Sequence, residues 1–111
     1  MTTANRLLPL CHTADVRDGE GLQVAVDDFV VAVFKVGDRY YVIDEHCTHG
    51  PGLLSEGDVE GEIVECNFHH GAFNIRTGQV VAPPCMVPIR TYHAEVREGQ
   101  IYIDPDRPAE P

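Results

Sequence analysis

The 111-residue chain is poor in basic residues, with 8 Lys and Arg against 18 Asp and Glu and a formal charge of −10. Such a surface repels nucleic-acid phosphates, which excludes nucleic-acid binding as a function class. The same acidity favours solubility and can steer the chain toward a basic partner. Long apolar runs are missing too: none approaches the roughly 20 residues of a membrane helix. The opening "MTTANRLLPL" has only a short apolar stretch, interrupted by Pro9, and does not read as a secretory signal. The expectation is a cytoplasmic monomer with no membrane contact. No sustained 3.6-residue period appears, so helix content should be low. Also missing are a Ser/His/Asp set, a phosphate loop and a paired-acid motif, so no bond chemistry is expected of the chain itself.

What remains is strand after strand. "GLQVAV" (Gly21 to Val26) alternates, and "FVVAVFKV" (Phe29 to Val36) is rich in β-branched and aromatic residues. Gly37-Asp38 is a turn signal before "RYYVID", which ends at Asp44. "VEGEIVEC" reads as turn plus strand, "AFNIRTGQVV" as a hairpin turning at Thr77-Gly78, and "PIRTYHAEV" with "QIYID" as a last hairpin about Glu98-Gly99. A single helical turn fits Ala14 to Val16. Turn signals at 8–12-residue spacing suggest a small antiparallel β-sandwich or barrel. Neither a repeat nor a linker divides residues 1–111, so one domain is expected. The charged, proline-rich segment 105–111 reads as a poorly ordered tail.

Two short loops interrupt this pattern. "EHCTHGPGLL" supplies Cys47-x-His49, and "VECNFHHGAF" supplies Cys66-x-x-His69. Each offers one thiol and one imidazole, followed by glycines that let backbone approach a bulky inorganic group and donate N–H groups to it. Zinc could use two Cys and two His, but its sites usually pair like with like at wider spacing. A 2Fe-2S cluster with unequal irons accounts better for mixed loops. A zinc-stapled interaction module remains the alternative; it would be colourless.

The pattern C-x-H-x16-C-x-x-H, with "CTHG" and "C-x-x-H-x-G", resembles the Rieske iron–sulfur family. The likeness runs over nearly the whole chain, including "YYVID" before the first loop and "APP" (Pro83, Pro84) before the last strands. It is greatest to the small Rieske ferredoxins that serve bacterial aromatic-ring-hydroxylating dioxygenases. The resemblance implies a Rieske fold, a β-sandwich with an inserted cluster-binding subdomain at about residues 45–85. It implies one 2Fe-2S cluster, with Cys47 and Cys66 on one iron and His49 and His69 on the other. It implies a one-electron carrier between an NAD(P)H-dependent ferredoxin reductase and a terminal oxygenase. A likeness to nitrite-reductase small subunits, which share the fold, is weaker because those chains often lack the ligands.

Histidine ligation has an electrostatic rationale. Two ferric ions, two sulfides and two thiolates sum to zero, and reduction takes the site to −1. Four thiolates would force the change from −2 to −3, so imidazole ligands raise the potential. High-potential relatives add a disulfide between the loops and hydroxyl donors to the cluster. This chain has Gly52 and Phe68 at the disulfide positions, and Gly71-Ala72-Phe73 where the hydroxyls would be.

The remaining candidates have ordinary readings. His70 falls at the variable position of the motif, and His12, His46 and His93 lie off it. Cys11 and Cys85 sit in apolar sequence and read as small buried hydrophobes. One of Tyr40 and Tyr41 should face the core. No charge lies between Cys47 and Leu54 or between Asn67 and Ile75 when the histidines are neutral. That predicts an uncharged docking tip with Pro51, Leu53 and Phe68 as apolar contacts, flanked by Glu45, Glu56 and Asp58 as steering acids.

Overall fold

The computed structural model describes residues 7–48, 52–67, 71–83 and 86–109. Ten strands occur among them: β1 (Leu8–His12), β2 (Gly21–Val26), β3 (Phe29–Val36), β4 (Arg39–Asp44), β5 (Asp58–Glu60), β6 (Ile63–Glu65), β7 (Ala72–Asn74), β8 (Val80–Ala82), β9 (Thr91–Arg97) and β10 (Gln100–Asp104). The described helical segments are two single 3-10 turns, Thr13–Asp15 and Leu54–Glu56. Their brevity follows from the missing 3.6-residue period.

The strands form two antiparallel sheets. The larger has the order β1-β10-β9-β4-β3-β2, and its two edge strands, β1 and β2, approach each other. The smaller has the order β5-β6-β7-β8 and is built from the chain between β4 and β9. It therefore stands as an insertion in the larger sheet, as the expected architecture requires.

The near-continuous apolar run of β3 has a structural cause. Successive strand residues point to opposite faces, and here both faces are covered. Val31 and Val33 enter one core with Val42, Tyr92, Ile101 and Ile103. Ala32 and Phe34 enter a second core with Ile43, Leu54, Val64, Phe73 and Ile75. Strands buried on both sides lose the polar half of their alternation. Tyr40 and Tyr41 divide in the same way: Tyr40 packs on the first of these cores and Tyr41 on the second, both half-buried. The Tyr41 hydroxyl donates to Glu62 Oε2 at 3.2 Å, tying the large sheet to the small one.

β1 is a strand that local pattern does not announce. It pairs with β10 through a register shift between Pro9 and Cys11. Proline fits an edge strand at such an irregularity because it has no N–H to offer a ladder. The C-terminal segment, for all its charge and proline, makes contacts with β9: His93 N–H donates to Arg107 O at 3.0 Å and Ala109 N–H to Thr91 Oγ1 at 3.0 Å. The Arg90 guanidinium also donates to Pro105 O at 2.9 Å.

Candidate metal centre

The two Cys/His loops leave the ends of β4 and β6. Each cysteine closes its loop in the same way. Cys47 N–H donates to Gly52 O at 3.0 Å, and Cys66 N–H donates to Gly71 O at 2.6 Å. Both bonds span five residues, so each cysteine is tied to the carbonyl at the same distance along the chain. Cys47 and Cys66 are 5% and 1% exposed and belong to one core cluster with Phe34, Leu54, Phe73 and Ile89. The expected ligands His49 and His69 lie outside the described residues, as do His70, Gly50, Pro51, Phe68, Pro84 and Cys85.

The residues that flank the first loop are held by specific bonds. Glu45 is fully buried, contrary to its expected role as a steering acid. Its carboxyl oxygens accept from Ser55 N–H at 2.8 Å and Ser55 Oγ–H at 2.5 Å. Its backbone carbonyl accepts from Leu54 N–H at 2.8 Å. A glutamate two residues before the loop reads as surface, but buried polar groups are tolerated when their hydrogen bonds are made. Here the partner lies ten residues on, beyond any local pattern. Gly57 completes the packing: a Cβ there would sit 2.1 Å from Glu65 O. Backbone thus lies directly on backbone just before Cys66, and only glycine leaves the space.

The loop surroundings are apolar or committed elsewhere. Thr48 Oγ–H donates to Val87 O at 2.8 Å, which holds the first loop to the segment after Pro83. The Ser55 hydroxyl is taken by Glu45. Gly71, Ala72 and Phe73 are buried and carry no hydroxyl. Leu53 is half-buried at the loop's end, while Glu56 and Asp58 are exposed. Two thiols at the bases of equivalent loops, within one apolar core, fit a group that needs thiolate ligands on a common side and exclusion of water.

The other singled-out side chains have local partners. His93 Nε2 lies 2.9 Å from Glu95 Oε2, and Arg97 adds a second contact to Glu95 at 2.7 Å. These hydrogen bonds, the one with His93 foremost, lower the Glu95 pKa. Cys11 is half-buried against the core of Val31, Val33 and Tyr92; burial, with Asp15 adding to it, pushes its thiol pKa up. A thiol so placed is a poor nucleophile. His12 lies at the end of β1 and His46 is exposed beside Cys47.

Comparison with known proteins decides among the chemistries. The Rieske [2Fe-2S] domain family matches residues 6–93, a span that contains both loops, the smaller sheet and the larger one as far as the start of β9. The chain belongs to the Rieske [2Fe-2S] domain family. Ferredoxin CarAc of Metapseudomonas resinovorans is 41% identical over 97 residues, covering 86% of this chain and 91% of the relative. The ferredoxin component of the p-cumate 2,3-dioxygenase system of Pseudomonas putida is 41% identical over 100 residues, covering 88% and 85%. A solved complex of reduced oxygenase and oxidized ferredoxin in carbazole 1,9a-dioxygenase contains a chain that superposes with a TM-score of 0.85. That chain is 38% identical, with 96% of this chain and 100% of that one covered. The cofactor of this Rieske chain is one Rieske-type 2Fe-2S cluster, and the zinc alternative falls. Its relatives are ferredoxin components rather than catalytic oxygenases, and it is an electron carrier, not an enzyme. Among the described residues no helix is long and apolar enough to cross a membrane.

Proposed function

We propose that Cys47 and Cys66 bind one iron of the cluster and His49 and His69 the other, within a cluster-binding subdomain of about residues 45–85 in a single domain spanning 1–111. The observation that carries this reading is the paired loop closure, Cys47 to Gly52 and Cys66 to Gly71, which brings the two thiols into one buried core. When bound, the cluster supplies a one-electron couple. The chain takes electrons from a reductase and passes them to a terminal oxygenase of an aromatic-ring-hydroxylating system. It works in solution in the cytoplasm as a monomer, with NAD(P)H as the source of reducing equivalents upstream.

The residues of the chain perform three tasks in that transfer. The two buried loop bases keep water from the thiolates. The Glu45–Ser55 bonds hold the first loop against the core, so little rearrangement accompanies a change of one charge. Leu53 offers an uncharged contact for a partner, and the exposed Glu56 and Asp58 steer the approach. Reconstitution with iron and sulfide, followed by reduction with a purified reductase and reoxidation by an oxygenase, tests the whole reading. A protein that binds iron but gives no Rieske visible and EPR spectrum overturns it.

Two quantitative expectations follow from the site. Both described hydroxyls of the first loop region, on Thr48 and Ser55, are engaged by Val87 O and Glu45. With neither available to stabilise the reduced cluster, the midpoint should lie at the bottom of the range of about −150 to +300 mV spanned by Rieske centres. Protein-film voltammetry near neutral pH measures it, and a midpoint above roughly +100 mV on that scale contradicts the expectation. The second concerns steering. Raising salt from 0.1 M to 1 M shortens the Debye length from about 10 Å to about 3 Å. Stopped-flow reduction by the reductase should slow across that range, because electrostatic steering acts on the association rate. An unchanged rate would assign the acidity to solubility alone.

A further inference from the structure

Asn67 directly follows Cys66, yet its side chain serves the other loop. Its Oδ1 accepts from Leu53 N–H at 2.9 Å, one residue beyond the glycine that closes the Cys47 loop. Its Nδ2 donates to Glu56 Oε1 at 3.2 Å, at the last residue of the following 3-10 turn. The backbone donor at Leu53 fixes which way the amide faces, since only the oxygen can accept there. Asn67 thus joins the segment after the first loop to the start of the second through two bonds of opposite polarity. The 53–57 segment is also located by a bridge from Leu53 to His46, by Leu54 in the core, by the Glu45 clasp and by the close approach of Gly57 to Glu65. Asn67 is the side chain among these that reaches across from the second loop, and it is exposed.

We propose that Asn67 is a positioning residue, a cross-brace that sets the separation of the Cys47 and Cys66 loops and so the geometry in which the cluster is held. The inference rests on the ligand reading given above. An exposed brace contributes little to global folding, because single exposed hydrogen bonds are weak and the cores remain intact. Its effect falls on the site, where ligands must be held within about 0.5 Å by their supporting residues.

The test uses the reconstituted protein and reads the reduced-cluster EPR g-values, the visible circular dichroism and the rate of iron loss to a chelator. Asn67→Ala should shift the g-values and release iron about tenfold faster, the factor equivalent to about 1.4 kcal/mol, while the thermal midpoint of the protein moves little. Asn67→Asp keeps the acceptor for Leu53 but sets a carboxylate against Glu56, so it should fall between. Adding Glu56→Gln to Asn67→Asp restores a donor facing an acceptor with the polarity reversed, and should return both spectrum and iron retention toward the parent. A parent spectrum and release rate in Asn67→Ala, or no recovery in the double variant, overturns the brace. Failure of the unmodified protein to show a Rieske spectrum would instead overturn the ligand reading.

Discussion

His69→Gln should abolish the red-brown colour and the Rieske EPR signal of the reconstituted protein, whereas His70→Gln should retain both. The two histidines are adjacent, so composition and burial cannot separate them. Position relative to the cysteine can. The second loop is closed by Cys66 N–H on Gly71 O, which leaves four residues, 67–70, between its fixed ends. The family pattern Cys-x-x-His-x-Gly assigns the ligand to the third residue after the cysteine, which is His69, and the variable place to His70. Glutamine offers no imidazole nitrogen, so replacing a ligand removes a metal bond outright, while replacing its neighbour changes only shape and polarity. Iron content per chain, visible absorption and EPR together give the answer. Reversed outcomes would mean the ligand lies one residue later.

Phe73→Ala should be the most destabilising single truncation around the site, by about 3–5 kcal/mol. Phe73 is fully buried in the core that includes Cys47 and Cys66. It pairs with Val64 on one side and Val80 on the other within a sheet whose strands are three residues long. Such short strands hold few ladder bonds, so their stability depends on what the central side chain fills. The void left by alanine would adjoin the thiols and admit water to them, so iron retention should fall with the thermal midpoint. Val81→Ala, one residue from Val80 but 51% exposed, should stay within about 0.5 kcal/mol of the parent. Chemical denaturation of the metal-loaded proteins checks both. Equal midpoints for Phe73→Ala and Val81→Ala would remove Phe73 from this role.

Most of the large sheet could be read from the chain because β2, β3, β4, β9 and β10 are long, punctuated by Gly-containing turns and rich in β-branched residues. β1 escaped that reading: Pro9 argues against a strand, and only the edge position beside β10 makes it acceptable. The Cys/His spacing made the cofactor legible, since two cysteines and two histidines at family spacing leave few chemistries. The parts that tie the loops together were not legible. Glu45 looked like a surface acid, and its burial depends on Ser55 across a turn. Asn67 gave no sign of its role, because an amide after a cysteine has no motif and the donor to its oxygen is a backbone N–H fourteen residues earlier. Contacts of this kind follow from where the elements dock rather than from local pattern.

The matched loop closures set a rule for redesigning this protein. The amide of each cysteine is committed to the carbonyl five residues on, at Gly52 and at Gly71. Within the two intervals, positions other than Thr48, His49, Asn67 and His69 can therefore be varied, but an inserted or deleted residue would forfeit the closing bond. Libraries aimed at a new redox partner should hold both loop lengths constant and diversify only positions 50, 51, 68 and 70. Grafts of the site onto another scaffold should carry each loop whole, from cysteine to glycine.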